Sequence, residues 1–205
     1  MKIKINESQM KLLKLQRTYL LKEKDPGQAY QDNLESEFKM LEEHLPAGDF
    51  NIMDIGCGMA GIDLMIYRHR KCNMLLIDKN EVTDGIYYGM SEKPCSYSNL
   101  VLMLDFLKSN GVNPEHMCIS NADNPPYCCP LIKFDVIISL IACGFHFSVT
   151  KYLKFILSSL KPDGVLILDI RDNTGQEIAL REFFNNETVI RKYDKYKRLK
   201  YWNMK

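Results

Sequence analysis

No stretch of this chain approaches the roughly 18 consecutive apolar residues that cross a bilayer, so no membrane-spanning helix is expected. The opening Met1-Lys-Ile-Lys-Ile-Asn-Glu7 also lacks the apolar core of a secretory leader, and the expected compartment is the cytoplasm. Neither sign of charge is in excess. With 27 basic and 26 acidic residues among 205, the net charge is +1, and no global field draws the chain to nucleic acid or to an anionic membrane. The seven cysteines (57, 72, 95, 118, 128, 129 and 143) are odd in number and include no Cys-x-x-Cys pair. Adjacent Cys128 and Cys129 make a poor disulfide or zinc framework, so all seven are expected as reduced, small apolar residues with no metal site. Internal repeats and low-complexity linkers are absent as well. The length fits one domain at roughly 100–200 residues per domain.

Organisation comes from hydrophobic periodicity. Residues 6–45 carry helical apolar spacing in two blocks, Met10 to Leu21 and Leu34 to Leu41, split at Asp25-Pro26-Gly27. This predicts a helical extension over residues 1–46, preceding a domain over 47–205. Lys11, Lys14, Arg17, Lys22 and Lys24 read as its solvated face, with a basic contact surface as the alternative. Beyond Pro46, strands and helices alternate, which argues for an α/β fold. Strands are predicted at Phe50–Ile55, Met74–Ile77, His116–Ser120, Phe134–Leu140 and Val165–Ile170. Helices are predicted at Ala60–Arg70, Leu100–Asn110, Val149–Leu160 and near Gly175–Phe184, the third closed by Lys161-Pro-Asp-Gly164. Glu187 to Met204 reads as a β-hairpin around Asp194-Lys195.

The segment Asn51-Ile-Met-Asp54-Ile-Gly56-Cys57-Gly58-Met-Ala-Gly61 carries the most chemistry. A short strand enters a glycine turn that opens a helix, with the GxGxxG spacing of dinucleotide sites. Asp54 changes its meaning. A fixed carboxylate beside the turn repels a pyrophosphate but suits a cofactor bearing an amine, and S-adenosylmethionine has that character. A nicotinamide cofactor remains the competing reading, because Asp78 lies about 20 residues downstream.

In open parallel sheets, ligands sit outside the carboxyl ends of the strands. The residues there are the glycine turn, Asp78-Lys79, Asn121 to Asn124, and Ser139 through Phe147. From these motifs and their order, residues 48–170 resemble the class I S-adenosylmethionine-dependent methyltransferases. Asp54-Ile-Gly-Cys-Gly58 matches the family's nucleotide turn, and Phe134-Asp-Val-Ile-Ile-Ser139 its fourth strand. Lys161-Pro-Asp-Gly164 before Val165-Leu-Ile-Leu168 matches its junction into the fifth. The resemblance implies a Rossmann-like, mostly parallel seven-stranded sheet flanked by helices and ending in a β-hairpin. It implies a site in which Asp54, Gly56, Cys57, Gly58 and Gly61 hold the methionine part of the cofactor, and Asp78 with Lys79 the ribose. Ala122 and Asp123 would meet the adenine, and Ser139 and Leu140 the sulfonium.

Acceptor chemistry belongs between the fourth strand and its helix, at Cys143-Gly-Phe145-His146-Phe147. His146 is the candidate base, since imidazole titrates near neutrality, and Phe145 and Phe147 can exclude water around it. Tyr87 and Tyr88, after the second strand, are candidate acceptor contacts. Together with Asp78-Lys-Asn-Glu-Val82, these segments resemble small bacterial sugar O-methyltransferases, which implies a small-molecule acceptor. Asn124-Pro-Pro-Tyr127 imitates an amine-methylating motif but precedes the fourth strand instead of following it, and reads as a stiff loop. The basic and aromatic residues of 191–205 admit a hairpin surface or a nucleic-acid contact. RNA or protein methylation, and a non-catalytic cofactor-binding module, remain alternatives. Nothing in the sequence sets the oligomeric state.

Overall fold

The computed structural model describes residues 2–83, 89–90, 96–125, 127 and 133–205. The chain opens with helix α1 (Glu7–Gln16), a single-turn helix (Thr18–Lys22) and α2 (Pro26–Leu41). Asn6 and Gln9 close a reciprocal capping box at the start of α1. At α2, the Asp25 carboxylate accepts from the Gln28 N–H at 3.0 Å and Pro26 takes the first helical position, where its missing N–H costs nothing. The Asp25-Pro26 break in the sequence is therefore a helix start.

Seven strands follow: β1 (Phe50–Ile55), β2 (Cys72–Asp78), β3 (Met117–Asn121), β4 (Phe134–Ser139), β5 (Leu160–Arg171), β6 (Phe184–Lys192) and β7 (Tyr196–Met204). Between them lie α3 (Gly61–His69), α4 (Leu100–Ser109), α5 (Thr150–Ser159) and α6 (Gln176–Arg181). The sheet order is β3-β2-β1-β4-β5-β7-β6. The five strands from β3 to β5 pair in parallel, while β7 pairs antiparallel with both β5 and β6. The sheet is thus mixed, its antiparallel part being the terminal hairpin.

Alternation along the strands divides the core into two layers. Ile52, Leu76, Ile138 and Ile167 face Leu13, Leu34 and Leu41 of the N-terminal helices and Phe106 of α4. Met53, Ile77, Ile137 and Leu168 face Ile156 of α5 and Leu180 of α6. The N-terminal helices therefore complete one side of the sheet, with α2 packed on α3. The reversal of strand order between β1 and β4 opens a crevice at their carboxyl ends, beneath α1 and α2.

Three expectations change. Lys161-Pro-Asp-Gly164 does not precede β5 but lies within it as a bulge, because Phe134 pairs with Leu160 and the next paired positions are Val136 and Val165. The terminal hairpin is not an exposed edge throughout. Its second strand, β7, is internal, and Arg198 on it is 1% exposed. Finally, Cys57, Cys72 and Cys143 carry free thiols as expected, but Cys118 is disulfide-bonded.

Candidate functional site

A cavity of about 240 Å³ occupies the crevice. Its floor is the turn after β1. Gly56 adopts φ +82°, and a Cβ there would stand 2.3 Å from that of Ala142, so the turn is pressed against the loop after β4. The Gly56 N–H donates to the Ile77 carbonyl at 2.7 Å, and the Gly58 N–H to the Asp78 carboxylate at 2.6 Å, which stitches the turn to the end of β2. At Gly61 a Cβ would meet the Tyr30 hydroxyl at 2.0 Å, so α2 rests directly on the helix that the turn opens.

Asp54 is 2% exposed at the inner end of this cavity, and its Oδ1 has no hydrogen-bond partner. Burial pushes its carboxyl well above the usual carboxylate range, and Asp63, Asp78 and Asp169 add to the rise. Asp78 ends β2 at the cavity wall. Burial lifts it to about 6, against the Gly58 and Lys79 N–H groups, which favour its anion. Lys79, Ala122 and Leu140 complete the wall on that side.

Asp54, Gly56, Cys57, Gly58, Gly61, Asp78, Lys79, Ala122, Leu140, His146 and Phe147 all line the one cavity. Three other expected residues stand outside its wall. Asp123 is exposed and faces Lys79 at 3.8 Å. Ser139 is fully buried, its hydroxyl donating to the Ile55 carbonyl at 2.5 Å and accepting from the Cys143 N–H at 2.8 Å, so it braces the strand ends. Phe145 packs edge-on against His146 and Tyr196, beneath the Arg171 guanidinium. Tyr87 and Tyr88 lie outside the described residues.

His146 is partly buried, and its Nδ1 makes a long contact of 3.4 Å with the Gly89 carbonyl. Burial lowers its pKa, which keeps the ring neutral and able to take up a proton at physiological pH. Ile141, on the adjoining wall, has φ 56°, a strained conformation for a β-branched residue. Its N–H donates to the Asp169 carboxylate.

Sequence reasoning missed the roof of the cavity and its edge at β7. Gln16, Arg17, Tyr30, Leu34 and Glu37 come from the N-terminal helices, and Arg198 from β7. Arg198 chelates Asp169 with two bonds of 2.7 and 2.9 Å and bonds Glu37 through its third nitrogen, tying three elements together at the cavity edge. An acid within the apolar run of strand five, at Asp169, was the available signal for a buried partner. Asp63 carried the same signal in the apolar run Gly61 to Ile66 of α3 and was equally unread.

The architecture is that of solved methyltransferases. The chain is similar to a precorrin-6y C5,15-methyltransferase from Geobacter metallireducens (14% identity, TM-score 0.57, covering 84% of this chain and 88% of that one). It is similar to a methyltransferase from Pyrococcus furiosus (15%, TM-score 0.56, 83% and 82%). A third likeness is to a TehB-like S-adenosylmethionine-dependent methyltransferase from Corynebacterium glutamicum (15%, TM-score 0.51, 82% and 86%). No protein-family model matches the chain, and no curated protein matches it. The chain has the Rossmann-like fold of these methyltransferases, with its seven-stranded mixed sheet and C-terminal antiparallel hairpin. No helix among the described residues is long and apolar enough to cross a membrane.

Proposed function

We propose that this protein is an S-adenosylmethionine-dependent methyltransferase acting on a hydroxyl of a small, polar, sugar-like acceptor. The observation that carries this reading is Asp54, a buried carboxyl that lines the same cavity as the glycine turn and has one unpartnered oxygen. An ammonium group supplies the missing donor, whereas the pyrophosphate of a nicotinamide cofactor would add negative charge beside it. The fit extends along the cavity: the turn at Gly56 to Gly58 offers bare backbone, and Asp78 offers a carboxylate suited to a pair of ribose hydroxyls. Ala122 and Leu140 provide apolar contact further along.

When bound, S-adenosylmethionine supplies an electrophilic methyl group on a sulfonium. The chain's own residues hold and orient. Asp54 and the turn fix the amino-acid end, Asp78 the ribose, and the loop Leu140–Ala142 closes the wall next to the acceptor. Neutral His146 takes the hydroxyl proton as the acceptor oxygen attacks. Phe147 beside it and Tyr30 above restrict water. A cavity roofed by α1 and α2 favours a small acceptor over a polymer.

Incubating the chain and methyl-labelled cofactor with separate metabolite, RNA and protein pools tests the acceptor class. Label is expected in small metabolites, in base-stable and acid-stable ether linkages. Label confined to RNA or protein would replace the proposed acceptor.

A further inference from the structure

A second buried carboxyl, Asp63, lies against Asp54 and outside the lining of the cavity. Asp63, in the first turn of α3, is 0% exposed, and apart from its own backbone N–H neither of its side-chain oxygens has a hydrogen-bond partner when both acids are counted as anions. Asp54 leaves Oδ1 in the same condition. The two side chains are within hydrogen-bonding contact of each other. Two carboxylates cannot bond, but a carboxylate and a carboxylic acid bond strongly. A single proton between them therefore gives one oxygen of each acid a partner.

Arg17, Lys79, Lys151 and Arg198 line the same cavity as Asp54. Among the described residues, no lysine or arginine forms an ion pair with either carboxyl. The charged groups facing the pair are Asp78 from β2 and Asp169 from β5, and Asp169 is already committed to Arg198. The titratable groups nearest them are neutral: the Cys57 thiol in the turn, Cys72 on β2 and the Tyr30 hydroxyl on α2, all pushed upward by burial. Burial likewise raises both carboxyls of the pair.

We propose that Asp63 is a positioning residue for cofactor binding: Asp54 and Asp63 share one proton in the free protein, and that proton leaves when the cofactor's ammonium group reaches Asp54 from the cavity. This rests on the reading of the cavity as an S-adenosylmethionine site. One cation replaces another, so the floor keeps its charge, and the displaced proton passes to solvent. The ligand-free floor is thereby spared two adjacent buried negative charges. On the acid side of the pair's titration, affinity rises roughly tenfold per pH unit.

The test is calorimetry of the full chain with S-adenosylhomocysteine, in buffers of different ionisation enthalpy at about pH 6, where the ligand's own ammonium is fully charged. About one proton released per ligand is expected. Asp63→Asn keeps the shape and presents an amide N–H to Asp54, so it should bind with proton release near zero and a flattened pH profile. Infrared spectra of the wild-type protein provide a readout that needs no variant: a protonated-carboxyl band present near neutral pH, lost on ligand addition. Binding without proton release, or a free protein lacking that band, overturns the shared proton while leaving the cofactor reading intact. Failure to bind S-adenosylhomocysteine at any pH instead removes the cofactor reading.

Discussion

Replacing Arg198 with methionine tests the ionic cluster at the edge of the cavity. The guanidinium is 1% exposed, its partner Asp169 0%, and the Glu37 side chain 17%. Methionine fills much of the volume but removes both bonds to Asp169 and the bond to Glu37, leaving a fully buried carboxyl that keeps the Ile141 N–H but has lost its counter-charge. Removing one member of a buried ion pair costs about 3–5 kcal/mol, because the remaining charge is stranded. That is a large share of the roughly 5–15 kcal/mol by which domains are stable. Neutralising both members is cheaper, so Asp169→Asn combined with Arg198→Met should recover about 1–3 kcal/mol of the loss. The sign of the pH dependence follows from the stranded acid. Without its partner, Asp169 has a folded pKa raised further above its unfolded value, so the penalty grows as pH rises and shrinks in acid. Urea unfolding followed by circular dichroism at about pH 5 and pH 8 measures each quantity. A loss below about 1 kcal/mol at the higher pH, or no recovery in the double variant, would refute the reasoning.

Gly56→Ala introduces both a steric overlap with Ala142 and a side chain at φ +82°, and should cost about 2–4 kcal/mol. Adding Ala142→Gly should relieve the overlap but not the backbone strain, so a complete recovery in thermal melts would contradict the geometry. Asp78 is raised by burial to about 6 from its ordinary value of 3.8, so the folded chain retains a proton that the unfolded chain loses across that window. Ligand-free stability should therefore fall as pH rises from about 4 to 6, by up to about 3 kcal/mol from this group, and Asp78→Asn should flatten that part of the profile in urea titrations. His146→Ala should lower turnover by about 10²–10⁴-fold with cofactor affinity nearly intact, and unchanged turnover in a labelled-methyl assay would remove the imidazole from the mechanism.

The sheet was readable because its signals are local. Strands β1, β2 and β4 are apolar runs bounded by polar or glycine residues, and the turn at Gly56 announces the following helix. The residues at the strand ends were readable for the same reason: Asp54, Asp78 and Leu140 are placed by strand geometry alone. What stayed hidden depends on tertiary approach. Nothing in the spacing of Arg17, Tyr30 and Glu37 says that α1 and α2 fold back over the turn, and nothing near Arg198 names Asp169, its partner across a strand pair. The bulge of Lys161 to Gly164 escaped because turn-forming residues look alike in a connection and in a distorted strand. The brace at Ser139 was hidden for a simpler reason: its place at a strand end is shared by residues that touch a ligand and residues that tie strand ends together, and only the structure shows its two hydrogen bonds.

The central claim, that the glycine turn and Asp54 hold S-adenosylmethionine, is tested most directly by parallel calorimetric titrations of the full chain with S-adenosylmethionine and with NAD. Saturable one-to-one binding of S-adenosylmethionine, weakened by Asp54→Ala, with no binding of NAD is the expected result. Binding of NAD alone would contradict it.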